Sequence, residues 1–317
     1  MGRARLGAST STEHNRSKGT SMDHHYLPKF YLKKWAATDG TVLRYYRLVL
    51  PTGDKIIEKR VGPRGAGFEP GLYAVAPGTD WESYDENIVE TDVMSPIDDA
   101  AAVVLDKMLS DAPSLDSNDR TAWAMFLNSL IHRHRDPIQE ADRMAPAVAR
   151  EVRANLLAKY TDPKGRARVE KALAHVRAEE MGKTVYRSLM VQAIRDPGAA
   201  EAITGLDWEI LGTQAEAPFI TTDRPLLINF GRGGPIEVLS IPISPRRLFV
   251  AYRKESGFGD GAETLENLVL GQDLMLLHEQ PCRFVFSSQK LTDDFRAGDH
   301  IVRLRTAVEA ALRRQFE

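Results

Sequence analysis

A chain of 317 residues with 43% hydrophobic and 27% charged side chains has ample material for a buried core. Its 42 basic and 44 acidic residues leave a formal charge of -2, which excludes a globally basic nucleic-acid coat and an acidic solvating tail but leaves a local basic groove open. The single cysteine, Cys282, excludes an internal disulfide, and no apolar run reaches the ~18 residues of a membrane span. The composition is that of a cytoplasmic protein with no membrane partner.

Residues 1–21 are rich in Ser, Thr, Gly and Arg, carry no apolar signal core, and read as a disordered tail. Organised sequence opens at Asp23-His24-His25-Tyr26-Leu27-Pro28-Lys29-Phe30-Tyr31-Leu32-Lys33-Lys34-Trp35. Pro28 suits the first turn of a short helix, with Tyr31 and Trp35 on one face. β-Branched and aromatic residues at 41–50 and 55–61, split by Pro51-Thr52-Gly53-Asp54, predict a hairpin. The Gly- and Pro-rich stretch 62–80 reads as loop.

The period then becomes helical. Ile97, Ala101, Val104, Leu105 and Met108 form one apolar stripe, and Trp123, Phe126, Leu127, Leu130 and Ile131 form another that Pro137 is expected to end. Further helices are expected over 146–159, 166–179 and 182–195. Short strands follow at 208–211, 218–222, 226–229, 238–243 and 248–252, then a helix at 263–277 and a strand at 284–286. The C-terminus, 301–316, reads as mixed strand and basic amphipathic helix. Segregated strands and helices predict an α+β fold with one integrated core, β-rich over 22–84, helical over 85–205 and mixed over 206–317. Cys282 fits the start of a buried strand better than a nucleophile.

Signature motifs of nucleotide, zinc-protease and serine-hydrolase chemistry are absent. Four constellations carry reactive side chains instead. His24 and His25 titrate near neutral pH and could serve as acid, base or ligand; the bland alternative is that they flank a helix start and cap it. Arg135 continues the Leu127 and Ile131 stripe, so its guanidinium needs an anion or a structural acid. Glu90 and Asp98 form an acid pair, although Ser95-Pro96-Ile97-Asp98 also has the order of a helix cap. Asp223 closes a strand in Thr221-Thr222-Asp223-Arg224-Pro225, as a catalytic acid or as an Asx turn on its own backbone.

In this order the motifs resemble domain-of-unknown-function family 4238, an uncharacterised and mainly bacterial family. The resemblance rests on the opening His25-to-Trp35 run, the acids from Glu90 to Asp98, Arg135-Asp136-Pro137, Thr222-Asp223-Arg224-Pro225, Pro242-Ile243-Ser244-Pro245 and a later Asn, for which Asn267 stands. It spans nearly the whole chain from Met22 on. The family commonly has Asn where this chain has Arg224. The resemblance implies that His25, Arg135 and Asp223 belong to one set. It transfers no reaction.

Two expectations follow. The first is a phosphate-directed hydrolase, at its sharpest a nuclease. His24 or His25 would be its acid/base, and Asp223, Glu90 and Asp98 its acids. Arg135, Arg133 and Tyr31 would hold a nucleic acid or phosphorylated small molecule, with a divalent metal ion as an open option. The second is a non-enzymatic binding or sensor module whose polar residues form a buried network. Convergence of His25, Arg135 and Asp223 on one cleft would favour the first.

Overall fold

The computed structural model describes residues 22–48, 55–75, 85–174, 177–214, 218–231, 234–256, 265–279, 282–291, 306–308 and 310. The tail 1–21, the hairpin tip 51–54 and most of 301–316 lie outside them, as does the side chain of Asn267. The fold is α+β.

The predicted hairpin forms from β2 (Val42–Leu48) and β3 (Lys55–Val61), with Tyr45 opposite Glu58. It does not stand alone. The late strand β10 (Val285–Ser287) adds to β2, and β6 (Thr221–Thr222) adds to β10, giving the order β3-β2-β10-β6. One sheet therefore joins the N-terminal hairpin to the C-terminal third. A second antiparallel sheet has the order β5-β9-β8-β7, from β5 (Asp207–Gly212), β7 (Leu227–Phe230), β8 (Ile236–Ser244) and β9 (Arg247–Tyr252). Tyr31, on α1 (Lys29–Lys33), ties the two sheets. Its hydroxyl meets Thr221 Oγ1 of the first at 2.7 Å and donates to the Pro242 carbonyl of the second at 2.6 Å.

The expected loop 62–80 contains a strand, β4 (Phe68–Pro70), which pairs with β1 (Asp23–His25). Three-residue strands framed by Gly and Pro carry too little pattern to be read locally. Gly67, with φ +68°, lets the chain turn where a Cβ would meet Leu27 at 2.7 Å.

The helical middle runs α2 (Ser95–Met108), α3 (Ser117–His132), α4 (Arg135–Ala158), α5 (Pro163–Leu173), α6 (Ala178–Ile194) and α7 (Pro197–Thr204). Asp116 and Asp119 close a capping box at the start of α3. Gly182 of α6 lies against Ala145 of α4 so closely that a Cβ would stand 2.4 Å from the Ala145 carbonyl oxygen. Pro137 was expected to end α3 but lies inside α4. The break falls earlier, at Arg133 and His134, where extended backbone at His134 starts a new helix with Pro137 in its first turn. The helix α8 (Leu265–Glu279) completes the elements.

The principal core gathers Tyr31, Trp35, Trp123, Phe126, Phe249 and Phe286, and thus spans all three sequence regions. Leu43, Tyr45, Val285 and Cys282 form a second, smaller cluster on the opposite face of the first sheet. Cys282 is fully buried there, as a small core residue.

Candidate functional site

Pro96 shapes the centre of the molecule. It has no N–H to give the carbonyl four residues back, and its ring crowds that carbonyl. The chain answers with a π-helical turn over Glu90–Met94, in which the Ser95 N–H reaches back to the Glu90 carbonyl. The released Asp92 carbonyl accepts from Arg195 Nη2 at 3.2 Å. Ser95 is therefore helical and makes no side-chain cap, which corrects the capping-box alternative for Asp98.

The wide turn carries Glu90 into the interior beside Asp98. Arg133, whose side chain is 0% exposed, bonds Asp98 Oδ1 through Nη1 at 2.7 Å and lies over the Phe126 ring. The two carboxyls repel, Arg133 offsets them, and Lys29 at the surface acts on both. Burial, then Asp98, pushes the Glu90 carboxyl up to about 7. Burial raises Asp98 as well, against the pull of Arg133. Glu90 also takes the backbone N–H of His25. His25 packs on Phe68, and burial, then Lys29, pushes its imidazole down to about 4, so it is neutral at pH 7. Glu90 Oε2, Arg133 Nε and Nη2, and His25 Nε2 are all buried without a hydrogen-bond partner. Orphaned polar atoms are uncommon in a folded interior, and a cluster of them asks for an explanation.

A second centre lies on the other side of the α3–α4 junction. His134 caps α4 by accepting the Asp136 N–H on Nδ1 at 3.2 Å, and its Nε2 faces Asp223 at 3.6 Å. Arg224 and Arg283 both hold Asp136 at 2.8 Å, and Arg224 Nε adds a bond to the His134 ring at 3.1 Å. Arg135 pairs with Glu69 at 3.2 Å, and Gln139 bonds the same carboxylate at 2.6 Å. The Tyr26 phenol lies against Arg135 and Asp223, which act on it electrostatically.

Several expectations are corrected by these contacts. Arg135 is not on the α3 stripe, because α3 ends before it; Arg133, two residues earlier, is buried instead. Arg133 is sealed from solvent and its guanidinium engages Asp98. Asp223 makes no Asx turn; its carboxylate accepts the N–H groups of Arg283 and Phe284, sixty residues on, at 3.0 and 3.3 Å. His24 has no free nitrogen. Nδ1 accepts the Tyr73 N–H at 2.7 Å, so Nε2 carries the proton toward Asn87 Oδ1 at 3.0 Å, and the ring stacks on Tyr73. It is a strut, as is Tyr31, fully buried with its hydroxyl engaged twice.

The trio therefore divides. Arg135 and Asp223 share the second centre; His25 joins Glu90, Asp98 and Arg133 in the first. Among the described residues His25 makes no hydrogen bond or ion pair with Arg135 or Asp223. Lys29, His134, Asp136, Arg224 and Arg283 were not among the expected site residues. The Arg-Asp-Pro and Asp-Arg-Pro motifs each contained one of them, Asp136 and Arg224. Among the described residues no group of three His, Cys, Asp or Glu side chains is placed to hold a metal ion.

These features define an α+β protein with two polar centres back to back on one helix junction, one an ion-paired network in which Asp136 Oδ1 and Arg283 Nε still lack a hydrogen bond, and one holding a buried acid pair. The model of a family described as a protein of unknown function, DUF4238, matches residues 23–291, and the chain belongs to that family. No curated protein and no solved structure matches it.

Proposed function

We propose that the protein is a phosphate-directed hydrolase in which Glu90 is the general base. One observation carries the reading: Glu90 holds an unpartnered, buried carboxylate oxygen beside a second carboxyl, in a π-helical turn that widens the helix to put it there. Burying two acids together costs stability, and a fold with no use for them would replace one with an apolar residue. The pH at which Glu90 exchanges its proton lies near neutrality, where general bases work best. A water molecule would give its proton to Glu90 as its oxygen attacks phosphorus and the bond to the leaving oxygen breaks. Lys29, exposed at the surface and acting electrostatically on the pair, suits the phosphoryl oxygens, and Asp98, fixed by Arg133, keeps Glu90 basic. A nucleic-acid phosphodiester is the sharpest form of the substrate.

The test is hydrolysis of a generic aryl phosphodiester by the full chain. Glu90→Gln is expected to lose at least about a hundredfold in kcat/KM while keeping its fold. Wild-type activity is expected to fall on acidification through about pH 7 as the base is protonated. Equal activity in Glu90→Gln, or a protein silent toward phosphodiesters and monoesters alike, would move the assignment to the binding-module reading. The ion-paired network of His134, Asp136, Arg224 and Arg283 supports that second reading.

A further inference from the structure

We infer that the open end of the β3-β2-β10 face binds single-stranded nucleic acid. On that face Arg44 of β2 stands directly opposite Lys59 of β3. Like charges in that position repel across a 4.5–5.5 Å gap. Neither has an acidic partner within ion-pair distance among the described residues, and Arg44 Nε is buried without a hydrogen bond. Two residues along β2, Tyr46 points the same way, and Phe284, two before Phe286, joins it from the neighbouring chain segment. The Arg44 guanidinium lies 5.3 Å from the Tyr46 ring centre and 5.2 Å from that of Phe284, and the two rings meet edge to face. Phe286 and Val42 on this face are core residues, so the strip is where the sheet leaves the core. The chain leads from Phe284 directly to Arg283 of the second polar centre.

Unmatched cations call for an anion, and rings beside them call for flat, apolar partners. Single-stranded nucleic acid offers both in alternation: phosphates to Arg44 and Lys59, base faces to Tyr46 and Phe284. A duplex hides its base faces, and an acidic peptide has none. Stacking and phosphate contact do not read the sugar, so DNA and RNA strands should bind alike. The inference rests on the sheet face alone and fits, without requiring, the hydrolase reading.

The experiment is fluorescence anisotropy of the full chain with labelled oligo(dT) and oligo(U) of about 12 nucleotides, a length a single platform can cover. Both are expected to bind with similar affinity, and a blunt duplex of the same length about tenfold more weakly. Tyr46→Leu should weaken both about tenfold. Arg44→Gln and Lys59→Gln should each flatten the plot of log affinity against log salt by about 0.7. Thermal melts confirm that the variants fold. The inference is overturned if neither strand binds at about 50 mM salt, if the duplex binds equally well, or if the three variants bind as the parent does. The assay reads no hydrolysis, so a protein that fails to cleave can still pass it, and one that cleaves a small diester can still fail it.

Discussion

Arg133→Met is expected to cost about 3–5 kcal/mol of folding stability above neutral pH, the penalty for leaving a buried charge without its partner. Methionine fills much of the space, so the loss is electrostatic more than steric. Arg133 is fully buried, its guanidinium bonds Asp98, and its charge offsets that of Glu90 as well. Without it Asp98 escapes by taking up a proton, so the defect should shrink toward pH 5 and grow as the pH rises. Urea denaturation across that range measures it. The double variant with Asp98→Asn should recover most of the loss, because both charges are then gone. A defect independent of pH, or one the double variant does not relieve, would mean that Arg133 matters through packing on Phe126 instead.

Glu90→Gln should do the opposite and stabilise the protein in mild alkali. The folded state holds the Glu90 carboxyl at about 7, above its ordinary value of 4.5, so folding favours the protonated form. Its contribution is complete below about pH 4.5 and is lost as the pH rises through about 7. Glutamine stays neutral throughout. At pH 8 the variant is expected to be more stable on the order of 2–3 kcal/mol, with the advantage gone near pH 4.5. Gain of stability together with loss of hydrolysis is the pattern of an acid kept for its chemistry. Equal stability across the range would remove the strain on which the functional reading rests.

The sequence displayed the elements better than it displayed their contacts. The hairpin, the α2 and α3 stripes and the strands of the second sheet each carry a local period, and the structure has them at nearly those positions. The α3–α4 break is different. Leu127, Ile131 and Arg135 keep helical spacing, so extrapolation put Arg135 on the buried face. The helix stops at His132, the phase resets at His134, and Arg133 turns inward instead. The π turn was equally hidden. Pro96 after Ser95 reads as a helix start, and only Arg195, a hundred residues on, makes the continuous alternative cheap by taking the Asp92 carbonyl. The acid pair was visible as two residues of the right type. That Arg133 joins them, that Asn87 and Tyr73 occupy His24, and that Arg283 meets Asp136 are contacts across 35 to about 150 residues, which no local pattern encodes. The strip of Arg44 and Tyr46 on β2 is not legible locally, because the alternation of Val42, Arg44 and Tyr46 looks like any half-buried strand until its neighbours are known.

The central claim is that Glu90 holds a proton near neutral pH, and its carboxyl can be observed directly. With carbon-13 in the glutamate side chains, nuclear magnetic resonance follows each carboxyl through its titration. One resonance is expected to titrate near pH 7, to be missing from Glu90→Gln, and to move to lower pH in Asp98→Asn, where the neighbouring negative charge is removed. Titration of every glutamate within the ordinary carboxylate range would contradict the account.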